Sequence, residues 1–222
     1  MTGLSRPLIY PVCLLVGSLL TVAAGALHPD LAGDGAAQLT IIARCHAWRA
    51  IHWAFLFSFP LALTGLVGLA RAQAATPGES AVRAGLIVGT FAYSAWSIIV
   101  AFMVGAGWSL AQSFTLAEAG MTATRAVFLF DMLHPFALAT QRVAGFALGL
   151  STSLVGWGVV NGKVLPRWLG SSGVVAGAVA MALALLFRED TKADQAAFVL
   201  PVLWQVVTAA VLLRGRGRPA GA

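Results

Sequence analysis

Hydrophobic positions run in long uninterrupted stretches rather than in the three-and-four spacing of a surface helix or the alternation of a half-buried strand. Six such stretches are long enough to cross a hydrocarbon core of ~30 Å, which takes ~20 helical residues. They lie near 8–27, 50–70, 84–107, 142–160, 169–187 and 196–213. Pro7 suits the first turn of the first stretch, Pro77-Gly78 marks a turn between the second and third, and Pro166 another between the fourth and fifth. The pattern predicts an all-α polytopic membrane helix bundle, one transmembrane domain over 1–222. Arg6, the apolar run and Ala24-Gly25-Ala26 also resemble a secretory signal; we read them as a first span.

Two connecting segments are longer. The first, about 28–49, begins with turn residues and becomes helix-compatible from Ala36. The second, about 108–141, holds an apolar run ending at His134 that is too short to cross, which predicts an interfacial or re-entrant helix near 122–134, stopped at Pro135.

Composition agrees with a membrane protein. The chain is 59% hydrophobic and 10% charged, with a mean hydropathy of +0.86, against roughly 25% charged residues in soluble domains. Little chain is left for a soluble catalytic domain. The net charge of +6 is read as loop charge at a membrane, with the lipid bilayer as partner and no nucleic acid required. With the N-terminus inside, one side receives Arg6, Arg71, Arg83, Lys163, Arg167, Arg214, Arg216 and Arg218 against a single acid, Glu79. The other side receives the remaining six basic residues and the remaining seven acids. Both termini are therefore expected in the cytoplasm.

Close helix packing is expected at Gly85/Gly89, Gly145/Gly149 and Gly173/Gly177, where small residues four apart let backbones approach. The central parts of the spans hold no Asp, Glu, Lys, Arg or His, which argues against a proton relay or charged permeation path. Gln205, alone inside a span, is expected to bond between helices. Cys13 and Cys45 are expected to stay unbridged.

Candidate chemistry therefore falls at the outer face, which this topology gives all four histidines. His28-Pro29 and His134-Pro135 each place a histidine where proline disfavours helix continuation. His46 and His52, six residues apart, would point ~120° apart on one continuous helix, so only one of them is expected to join a site. Asp131 and His134 share a helix face at i and i+3, and an acid within an apolar run needs a reason. Candidate ligands are His28, His46, His52, His134 and Asp131, with Arg49, Arg142 and Glu118 as supporting charges. This set predicts a transition-metal site (Cu, Zn or Fe) or a haem held by two axial histidines, with redox activity open to the copper, iron and haem forms. Two other readings stand beside it. One is a non-enzymatic accessory or scaffold subunit, pairing with a membrane protein or a second copy. The other is a carrier for a neutral or lipid-like solute.

The segment Gly156–Gly170, with Pro166-Arg167-Trp168-Leu169-Gly170 at its end, followed by Val174–Gly177, resembles the late signature of bacterial six-span membrane proteins catalogued as a domain of unknown function. The resemblance implies an all-helical protein of the bacterial inner membrane and no particular activity.

Overall fold

The computed structural model describes residues 7–117, 120–187 and 191–214, apart from the side chain of residue 194. Among them regular structure is entirely helical: α1 (Ile9–Leu27), α2 (Gly35–Arg44), α3 (Trp48–Ala72), α4 (Glu79–Phe102), a π-helical turn (Met103–Gly107), α5 (Trp108–Leu116), α6 (Met121–Gly162), α7 (Arg167–Leu186) and α8 (Lys192–Arg214). Six helices are long and apolar enough to cross a membrane. The chain is an integral, multi-pass membrane protein built as a helix bundle. Its six spans alternate in direction, so Leu8 and Arg214 lie on the same side.

The bundle closes through small residues. A side chain at Gly156 would lie 2.6 Å from the Gly170 carbonyl oxygen, and one at Gly177 would overlap the Gly149 carbonyl. The α6 and α7 backbones are therefore in direct contact, where lipid offers no hydrophobic contrast and close packing must supply the association. Gly85, Gly89 and Gly173 are likewise pressed against neighbours, whereas Gly145 faces open space. Side-chain hydrogen bonds reinforce the contacts: Ser151 Oγ donates to the Gly85 carbonyl (2.7 Å) and Trp204 Nε1 to the Leu169 carbonyl (2.9 Å). Gln205 behaves as expected, its Oε1 accepting from Ser18 Oγ at 3.2 Å and Tyr93 OH at 2.9 Å, which ties α8 to α1 and α4. Cys13 and Cys45 are free thiols.

The outer segment differs from expectation. The helix does not stop at Pro135: α6 runs unbroken for 42 residues, about 63 Å at 1.5 Å per residue, twice the hydrocarbon thickness. Proline removes one backbone bond, to the Asp131 carbonyl, at a cost of ~3 kcal/mol in a helix interior. Buried Phe130 and Ala137 hold the helix on both sides of the defect. The outer half of α6, α5 and α2 form a cap beyond the bundle, around Leu39, Ile42, Trp48, Met103, Ala111, Ala126 and Phe130. The π-helical turn lies beside Pro135, since Phe102 lines one apolar groove with Leu133, Phe136 and Ala137. The first long segment is also helical, but α2 ends at Arg44 and turns at Cys45–Ala47 before α3.

Candidate functional site

Three rings meet where α1 and α3 reach the outer end of the bundle. His28 caps α1 in an extended conformation (φ −71°, ψ 126°), as the following Pro29 requires, with its backbone N–H donating to the Gly25 carbonyl. This turn sets its ring edge-on to His52, centroids 5.2 Å apart and planes at 63°. Trp48 closes the third side, 5.1 Å from His28 and 4.2 Å from His52. Trp48 and His52 are both buried and lie one helical turn apart on α3, which places them on one face.

The hydrogen bonds fix the imidazole chemistry. His52 Nδ1 lies 2.7 Å from the Trp48 carbonyl oxygen, and a carbonyl can only accept. The proton therefore sits on Nδ1 and the lone pair on Nε2. The His28 ring bonds the backbone of Pro29, which has only a carbonyl to offer, so one of its nitrogens is also a committed donor. Burial pushes the His28 pKa down, opposed by the Pro29 carbonyl and by Asp30. The site thus offers two neighbouring imidazoles, each with one lone-pair nitrogen. Bonds of ~2.0–2.1 Å to a shared Zn²⁺ would require nitrogens about 3.3–4.2 Å apart. The rings touch edge to face, which leaves no gap between them for a porphyrin.

The other candidates lie elsewhere. His46 sits exposed in the turn before α3. His134 stacks on Phe130 of its own helix, centroids 4.7 Å apart. Asp131 lies against Gly35, the first residue of α2, so closely that a side chain there would overlap its carboxylate. That carboxylate faces the positive end of the α2 dipole, beside Asp34, whose Oδ1 accepts from the Ala37 N–H at 2.9 Å. This is the reason an acid stands in the apolar run. Asp131 and Arg142 are eleven residues apart on α6, about 16 Å along the axis, too far for an ion pair. Arg142 instead caps α7, donating from Nε to the Ala184 carbonyl (2.5 Å) and from a terminal nitrogen to the Leu185 carbonyl (2.6 Å). Arg49 is exposed, and Glu118 lies outside the described residues. Among the described residues no group of three or more His, Cys, Asp or Glu side chains is placed to hold a metal ion. The expected five-residue set is thus reduced to the pair His28 and His52.

Trp48 is the residue that sequence reasoning missed. Its spacing of four from His52 was visible, but an aromatic near a membrane boundary reads first as part of the interfacial belt. Its indole N–H donates to the Met103 carbonyl at 3.0 Å, a long-range contact. Nearby, Asp30 accepts from Lys192 Nζ at 2.8 and 3.0 Å, linking the His28 segment to the start of α8.

No protein-family model, curated protein or solved structure matches the chain.

Proposed function

We propose that this is a protein of the bacterial cytoplasmic membrane that binds a transition-metal ion at its outer face through His28 and His52. The observation that carries the reading is the ring pair at 5.2 Å, with one nitrogen of each ring committed to a backbone carbonyl. Neutral imidazole suits zinc, copper, nickel and iron alike. Two protein ligands leave positions for water or an exogenous ligand, which fits an exchangeable or reactive site better than a closed structural one. The proposal is tested by titrating detergent-purified, metal-stripped protein with Co²⁺ and Zn²⁺, read by absorption and calorimetry. Stoichiometric binding is expected, lost on His28→Ala or His52→Ala and retained in His46→Ala and His134→Ala. Wild-type protein without stoichiometric binding would remove the reading.

A second reading, an accessory subunit of a membrane complex, draws on the cap. Phe128, Leu129, Met132, Leu133 and Phe136 form one exposed apolar stripe on the outer half of α6, of the kind that marks an interaction surface. Met132→Glu would then release a partner from complexes extracted without detergent, while leaving metal binding intact.

A further inference from the structure

The cap joins the bundle through two helix defects at one level. On the α4–α5 side the backbone bonds widen to a π-helical turn, the Trp108 N–H reaching back five residues to the Met103 carbonyl. A side chain added at Gly105, inside that turn, would meet nothing within 4 Å. On the α6 side Pro135 interrupts the bond ladder. Such defects are where long helices bend, and π-helical turns recur at functional sites.

Trp48 braces this junction. Its fully buried indole donates to Met103, the first residue of the π-helical turn, while its ring contacts both imidazoles. Its backbone N–H donates to the Cys45 carbonyl (2.9 Å), so it also anchors the turn that leads back to α2. Trp48 fills the remaining side of the imidazole pair, so a ring that turns on taking up an ion would press on the indole. The indole's hydrogen bond ends on the Met103 carbonyl, inside the π-helical defect of the α4–α5 helix.

We propose that Trp48 is a latch through which occupancy of the His28/His52 pair sets the tilt of the outer cap; the metal dependence rests on the function proposed above. The regulated element is the cap, and its signal is the orientation of two histidine rings.

The test is a distance measurement between spin labels at Thr90→Cys on α4 and Ser113→Cys on α5, in a Cys13→Ala/Cys45→Ala background. The labelled positions are 23 residues apart, about 35 Å along a straight helix, and both are exposed. Metal-free protein with Trp48 intact should give one narrow distribution. Trp48→Phe, which keeps a ring but removes the indole N–H, should broaden it, and His52→Ala should do the same with Trp48 still present. Adding Zn²⁺ should move the intact protein's distribution by about 2 Å, the scale of switching helix shifts, and should leave Trp48→Phe unmoved at Zn²⁺ concentrations at which calorimetry shows that variant loaded. Unchanged metal-free distributions in both variants, or an equal Zn²⁺ shift in Trp48→Phe, would overturn the latch. Failure of Zn²⁺ to bind the intact protein would overturn the metal reading and the latch's occupancy signal together, whereas binding without a shift would overturn the latch alone.

Discussion

The His28 ring shows how a single position acquires chemistry from its surroundings. Burial disfavours its charged form, so its pKa in the fold lies below the ordinary value of 6.5. The unfolded chain then binds more protons than the folded one between the lowered pKa and about 6.5, and stability rises with pH across that window. Thermal unfolding in detergent should accordingly show this contribution complete above pH ~6.5 and lost as the pH falls toward the folded pKa. His28→Phe should flatten part of the slope, and an unchanged slope would place the titration elsewhere. The same shift means that protons begin to compete with a bound metal only below the usual histidine range. Asp131 makes the opposite point. Its carboxylate serves the α2 N-terminus, so Asp131→Asn should cost about 0.3–1 kcal/mol, the usual worth of a charge at a helix end, and should leave metal affinity unchanged. Gly35→Ala should push that carboxylate aside, and because Asp131 is exposed the cost should stay within the same ~1 kcal/mol helix-end contribution.

At the scale of elements, the joins between helices carry more information than the helices. The α7 C-terminus is closed by Arg142 from a different helix, in place of the local glycine cap that many helix ends use. Hydrogen bonds to charged groups contribute about 1.5–3 kcal/mol, and Arg142→Gln should lower thermal stability by an amount in that range. Because Arg142 and Asp131 lie about 16 Å apart along α6, the double substitution should be additive within about 0.5 kcal/mol. A rescue in the double variant would mean that the two side chains interact after all. The two outer helices were legible only in part. The apolar run ending at His134 was visible, but its continuity with the fourth span was not, because proline ends a helix unless tertiary packing holds both sides. Phe130 and Ala137 do so here, and neither announces it locally.

Across the whole molecule, six alternating spans put the two ends of the described chain on one side, which the distribution of basic residues predicts to be the cytoplasmic one. Cysteine labelling of intact cells, in a background lacking Cys13 and Cys45, should mark sites at Asp34 and Met121 and spare one at Lys163. The reverse pattern would invert the protein and place the His28/His52 pair inside. The class, the number of spans and their ends to within a few residues at most boundaries were legible from the residues alone, because the cost of burying charge in lipid is written into composition over ~20-residue windows. The sequence also pointed to Gly149 and Gly177 at the α6–α7 contact, though not to Gly156 and Gly170, and to the bonding role of Gln205, since small and polar residues in lipid have few alternatives to helix contact. The candidate site, by contrast, emerges from the packing of the folded chain. His28 and His52 are 24 positions apart, and nothing local distinguishes them from His46 and His134. Their meeting depends on where α1 ends against α3, and on a tryptophan held by the carbonyl of a residue 55 positions away. Such contacts are set by the packing of whole helices, which local patterns of polarity do not encode.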